Sequence, residues 1–256
     1  MFAALAAAKK AHADPGAALA QAAFDRPTGR DLTAAVRMEL TERGRAPRSR
    51  ELITYRLSRG RGASVSLIRF LEPRDVAGTG LLSLSKADGA SEQSLYLPGL
   101  DRVRRIASDR QGGRFVGSDI YYEDLHERQP ARDRHRLLGK ETVNGVACEV
   151  LESVPADAAD SVYQKRVSWI DTQTLLPQRV DYFERDDTTP GKRWELLASK
   201  RIQGYWTVTD SRVTDLKTGH STRMTVEQAV YDRRLPAKLF TPQALADEAL
   251  ESEYRP

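Results

Sequence analysis

Cysteine is almost missing from this chain. Cys148 stands alone among 256 residues, so no disulfide can form within it. No histidine lies near it in sequence, and residues 146–151 around it are largely apolar. It therefore reads as a small core residue rather than a thiol nucleophile. Histidine is scarce as well. His12, His126, His135 and His220 make no H-E-x-x-H pair and no Cys/His cluster, which excludes the common zinc patterns. The chain has no G-x-S-x-G elbow, no Walker loop and no G-x-G-x-x-G, and Gly112-Gly113 is too short a glycine signal to imply phosphate binding. No catalytic, metal or cofactor site is expected. Long apolar runs are missing too: none approaches the roughly 18 residues of a membrane-spanning helix.

Charge of one sign is not in large excess. Lys and Arg number 40 against 36 Asp and Glu, a net charge of +4 with a pI near 9.2. The best basic cluster is Arg102, Arg104, Arg105, Arg110 and Arg114. It lacks the interleaved aromatics of a nucleic-acid surface, so no nucleic-acid partner is expected. A solvated strand edge and loop accounts for it; contact with anionic lipid or a partner surface is the sharper alternative.

The start reads MFAALAAAKKAHA and closes on Ala11-His12-Ala13, an A-x-A pattern, ahead of Asp14-Pro15. Residues 1–13 are read as a signal-peptide remnant and residues 14–256 as one domain, which points to export. Lys9 and Lys10 follow the apolar stretch instead of preceding it. No L-x-[AG]-C lipobox occurs, so a diffusible rather than lipid-anchored protein is expected.

What the chain has in abundance is alternation. After an alanine-rich helix over residues 14–24, bracketed by Pro15 and Pro27, residues 32–40 place Leu32, Ala34, Val36, Met38 and Leu40 on one face, with Thr33, Arg37 and Glu39 opposite. Residues 51–58 alternate likewise through Ile53, Tyr55 and Leu57. Residues 64–71 are apolar on both faces. Further strands are predicted over 81–85, 94–98, 102–106, 136–143, 146–153, 161–170, 176–184, 193–202, 205–215 and 221–231. Asn144-Gly145 is the strongest hairpin signal, because a type I′ turn needs φ > 0 at both positions. Residues 241–250 are predicted as a closing helix, with Thr241 its N-cap and Pro242 its first residue. About a dozen strands joined by hairpin-like turns, with no long crossover helix, exclude a parallel α/β fold. The predicted fold is mainly β: one curved antiparallel sheet, a barrel or half-barrel.

One acidic constellation remains, residues 117–126. Were it one helical turn, Asp119 and Glu123 would share a face with His126 a turn later, and could bind a metal or perform acid/base work. The plainer reading makes Ser118 a cap and Asp119 a helix-dipole partner, with Tyr121, Tyr122 and Leu125 anchoring the segment to the sheet.

Five sequence pieces carry a family resemblance: Ile68-Arg69-Phe70-Leu71-Glu72-Pro73, then Asp75-Val76-Ala77-Gly78-Thr79-Gly80, Leu95-Tyr96-Leu97-Pro98, Arg102-Val103-Arg104-Arg105-Ile106, and Gly117-Ser118-Asp119 leading to Tyr122-Glu123-Asp124-Leu125. In this order and spacing the chain resembles the outer-membrane lipoprotein-sorting (LolA-like) proteins of the bacterial envelope. The resemblance implies an incomplete β-barrel with short covering helices, an apolar interior that holds acyl chains of a lipid or lipoprotein, a periplasmic location and no enzyme chemistry. It makes Val36, Met38, Leu40, Ile53, Tyr55, Leu57, Ile68 and Phe70 the candidate cavity lining, and Tyr121, Tyr122 and Leu125 the candidate lid. An inner-membrane exporter is a candidate partner, and a monomer is expected. The alternative is an accessory or docking protein of an envelope exporter, with a packed core and no ligand.

Overall fold

The computed structural model describes residues 14–185 and 188–256; the signal-like stretch 1–13 lies outside them. Helix α1 (Pro15–Phe24) is capped by the Asp14 carboxylate, which accepts from the Gly16 N–H at 2.9 Å. Thirteen strands follow: β1 (Asp31–Thr41), β2 (Arg48–Gly60), β3 (Ala63–Glu72), β4 (Gly80–Ser85), β5 (Ser91–Leu97), β6 (Arg102–Ile106), β7 (Asp133–Val143), β8 (Val146–Pro155), β9 (Tyr163–Asp171), β10 (Pro177–Glu184), β11 (Lys192–Ile202), β12 (Tyr205–Asp215) and β13 (Ser221–Tyr231). All thirteen coincide with predicted strands to within about three residues at each end, the scatter usual for strand ends.

They form one sheet in the order β6-β5-β4-β3-β2-β1-β13-β12-β11-β10-β9-β8-β7. Every neighbour is antiparallel. The first and last strands close on each other, since β1 pairs β13 with Met38 opposite Met224. The open edges are β6 and β7, which are consecutive in the chain. Residues 107–132 therefore run from one edge of the sheet to the other, and the barrel is not closed.

Each face has its own cover. The inner face lies beneath residues 107–132. Its apolar cluster joins Val36, Met38, Leu40, Leu52, Phe70 and Leu81 to Phe115 and Ile120. The outer face of β2 to β4 is covered by the chain after β13: Ile53, Tyr55, Val65, Leu67 and Leu82 pack against Leu235, Leu239, Phe240 and Leu245. This explains why β3 is apolar on both faces. It is sandwiched, and a strand covered twice cannot alternate.

The outer cover is fixed by buried charge. Asp31, 2% exposed, gathers the N–H groups of Arg233, Arg234 and Leu235 at 2.8, 2.9 and 3.3 Å where the chain leaves β13. Arg69 sits in β3 at 0% exposure. It donates to Glu251 Oε1 at 2.8 Å, to the Gly78 carbonyl at 2.6 Å and to the Leu245 carbonyl at 2.8 Å. A Cβ on Gly80 would come within 2.8 Å of the Arg69 guanidinium and of Leu245, so only glycine lets the cover approach this closely.

The predicted helix over 241–250 is corrected. Only a 3-10 turn (Ala244–Ala246) and the short helix α2 (Ala249–Ser252) form. Thr241 Oγ1 does accept from the Ala244 N–H at 3.1 Å. The Leu245 carbonyl, however, bonds Arg69 instead of a later amide, and the chain bends to deliver Glu251 to the same guanidinium. The Asn144-Gly145 turn forms with φ of 50° and 82°, as a type I′ hairpin requires.

Candidate apolar site under the edge-to-edge cover

The eight residues predicted to line one cavity divide between the two faces. Val36, Met38, Leu40, Ile68 and Phe70 belong to the inner cluster. Ile53, Tyr55 and Leu57 belong to the outer one. Register shows why: Val36 pairs Leu52 and Thr33 pairs Tyr55, so Ile53 and Tyr55 share a face with Ala35 and Thr33, not with Met38. Period-2 patterning tells which residues share a face within a strand. It cannot tell which faces of two strands match. Tyr55 is instead fully buried outside, its hydroxyl 3.2 Å from the Glu251 carbonyl.

The inner floor extends beyond its cover. Met38, Leu40, Leu52 and Phe70 are at most 1% exposed, and Phe115 fills the space above them with its ring centroid 5.4 Å from that of Phe70. Further along the same face, Leu32, Trp194, Met224, Val226 and Ala229 continue the apolar surface but are only half-buried. Helix α1 packs past them, over β7 and β8, through Leu19, Ala20 and Ala23 against Leu137 and Leu151.

Polar bonds at the rim hold the cover down. Arg50 donates to the Val116 carbonyl at 2.6 Å and lies over the Phe70 ring. Val116 has φ 47° and ψ 39°, a left-handed conformation that strains a β-branched residue. Asp119, 1% exposed, accepts from Arg114 at 2.7 Å and Thr222 Oγ1 at 2.8 Å, and its Oδ2 lies 2.6 Å from His220 Nδ1. Arg114 also reaches Asp215 at 2.5 Å. Glu123 accepts from Ser161 Oγ at 2.5 Å and from the Val162 N–H at 2.7 Å. Asp119 thus ties the cover to the β12–β13 hairpin, and Glu123 ties it to the start of β9.

The expected helical turn through Asp119, Glu123 and His126 does not form. Ser118 and Tyr121 are extended, and a 3-10 turn (Tyr122–Leu125) starts only after them. The two carboxylates serve separate anchors, and among the described residues no three metal-ligating side chains converge. Tyr122 and Leu125 pack onto the inner floor. Tyr121 turns aside, with its hydroxyl donating to Glu184 at 2.7 Å.

Beside Tyr121 is an arrangement the sequence did not signal. Lys192, 2% exposed, lies 3.8 Å from the Tyr121 ring centroid and 4.8 Å from those of Tyr163 and Tyr182, while its ammonium meets Asp124 at 2.5 Å and the Tyr163 hydroxyl. Burial lowers its pKa against the raising effect of Asp124. Asp124 and the ring faces supply what a desolvated ammonium needs, and the result is another strap between cover and sheet.

A groove of about 860 Å³ opens at the rim, lined in part by Ser91, Gln111, Glu123, His126, Arg128 and Arg132. It is too polar for an acyl chain. Burial, followed by the charges of Arg128 and Arg166, lowers the His126 pKa from 6.5 to about 4. The folded protein then binds fewer protons than the unfolded chain between those values, so stability falls as pH drops from 6.5 towards 4. At 1.36 kcal/mol per pKa unit, the His126 share between pH 7 and pH 5 is about 2 kcal/mol. Urea midpoints of the wild type and His126→Gln at both pH values should show the smaller drop for the variant; equal drops would refute it.

The family model whose description reads "uncharacterized protein" matches residues 62–247. No curated protein matches the chain. Among solved structures, a domain from Vibrio parahaemolyticus named for outer membrane lipoprotein sorting is similar over 90% of this chain and 98% of its own, at 31% identity and a TM-score of 0.85. A DUF1329 family protein from Desulfovibrio piger is similar over 91% of this chain and 99% of its own, at 30% identity and a TM-score of 0.85. A LolA superfamily protein from Nitrosomonas europaea, at 18% identity and a TM-score of 0.68 over 88% of this chain and 96% of its own, shares the fold. With its unclosed antiparallel sheet and these relatives, the chain belongs to the outer-membrane lipoprotein-sorting (DUF1329) family and has a LolA-like fold.

Proposed function

We propose that the protein is a non-catalytic periplasmic carrier that takes the acyl chains of a lipid or lipidated protein onto its inner sheet face, in outer-membrane lipoprotein or lipid trafficking. The observation that carries this reading is the mismatch between floor and cover. An apolar floor runs from β4 through β1 to β11, yet residues 107–132 cover only part of it, held by the packing of Phe115 and Ile120 and by the polar bonds of Arg50, Asp119 and Glu123. A cover of that kind can lift without unravelling the sheet. Each acyl methylene buried in its place contributes about 0.8 kcal/mol. The strained Val116 backbone favours release of the cover, and Met38 and Met224 give the floor side chains that repack around different chains. On this reading Phe115 is a stopper that fills the empty carrier, Tyr122 and Leu125 move with it, and Tyr121 belongs to the strap.

The packed interior of the closed form also suits the second reading, an exporter accessory without a ligand. A titration separates the two. N-phenylnaphthylamine should brighten on binding the purified protein, and palmitate should displace it. A probe that stays dark at protein concentrations well above micromolar would sink the carrier reading.

A further inference from the structure

The edge strand β6 has no task in lipid carriage, yet its surface is unusual. It pairs with β5 on one side only, Leu97 opposite Arg102 and Gln93 opposite Ile106. In an antiparallel ladder alternate residues point their N–H and C=O groups away from the partner strand, and those of β6 meet no other strand. Arg102, Val103, Arg104 and Arg105 are all exposed, and Leu100, in the turn leading in, is 53% exposed. Arg102 and Arg104 have no carboxylate partner among the described residues, while Arg105 has only Glu92 at 3.7 Å. Of the basic cluster noted in the sequence, Arg114 has left the strip for Asp119 and Asp215.

We propose that the β6 edge docks an acidic, extended segment of a partner protein, added as a further antiparallel strand. The register places the arginines on both faces: Arg104 opposite Leu95 of the inner cluster, Arg105 opposite Ser94 on the other face. An added strand has side chains on both faces and backbone groups between them, so it answers all three features at once. A flat anionic membrane would meet one face and leave the backbone edge unsatisfied. A second copy of this chain paired through β6 would set arginine against arginine, which repels. The same charges keep neutral strands off the edge, so they select an occupant as well as guard against others.

The test uses the full chain and a fluorescein-labelled decapeptide of alternating Glu and Val, with a Lys/Val decapeptide as control. Anisotropy should report saturable binding of the acidic peptide, weakening as salt rises, and none of the control. Arg102→Glu/Arg104→Glu/Arg105→Glu should lose at least tenfold in affinity; these side chains are exposed, so the thermal midpoint should hold. Hydrogen exchange within 102–106 should slow when the peptide is added, which a purely ionic attachment would not cause. Absence of peptide binding would overturn the proposal, as would unchanged exchange in β6. So would binding to phosphatidylglycerol vesicles in place of the peptide, or self-association that the triple substitution abolishes.

Discussion

Phe115→Ala should tighten binding of an apolar fluorescent probe by tenfold or more while lowering the stability of the empty protein. Phe115 is 1% exposed and fills the space over Phe70, Met38 and Leu40. Truncating such a ring costs about 3–5 kcal/mol. If the ring is the stopper of an empty carrier, much of that loss falls on the closed form alone. The binding-competent fraction then rises, and apparent affinity rises with it; 1.4 kcal/mol of the loss suffices for a factor of ten. If the ring is ordinary core, the midpoint falls and probe affinity does not change. Phe115→Leu, which keeps most of the volume, should move both quantities much less. Probe titration and a urea curve on the same three proteins decide between the two roles.

The second large effect is expected at the outer cover. Arg69→Leu strands the Glu251 carboxylate at 1% exposure and removes the donors that serve the Gly78 and Leu245 carbonyls. Breaking one side of a buried pair costs about 3–5 kcal/mol. Arg69→Leu/Glu251→Leu should recover a large part of the loss, since it leaves no buried charge behind. The sign with pH follows from Glu251. Burial already raises its pKa against the lowering effect of Arg69, and without the guanidinium it rises further. A carboxyl with a raised folded pKa favours the folded state below its unfolded pKa and loses that advantage as pH climbs. The Arg69→Leu deficit in urea should therefore be smaller at pH 4 than at pH 7. An equal deficit at both would mean that lost packing, not stranded charge, is the cause.

The two covers contrast in a way that suits a carrier. The outer one is tied through a fully buried ion pair and the Asp31 turn. The inner one is tied at the rim by Arg50, Asp119, Glu123 and Lys192. On the carrier reading, the outer face stays covered while the inner one opens.

The strands were legible because alternation and turn chemistry are local. Leu32 to Leu40 and Asn144-Gly145 needed no knowledge of the rest of the chain. The partition of Met38 from Tyr55 was not legible, since it depends on how β1 meets β2. The closing helix expected over 241–250 gives way because Arg69, 176 residues earlier, engages the Leu245 carbonyl. Arg69 did leave a trace: a lone arginine in a strand apolar on both faces must find a partner. Lys192 left none, because the tyrosines and Asp124 around it come from three separate places in the chain.

On the carrier reading, acyl chain occupies the inner face. Native mass spectrometry of protein purified from its own envelope, before and after lipid extraction, tests it most directly. An added mass of several hundred daltons or more is expected, removed by extraction, identified as lipid by fragmentation, and more abundant in Phe115→Ala. A single unliganded mass in both proteins before extraction would contradict it.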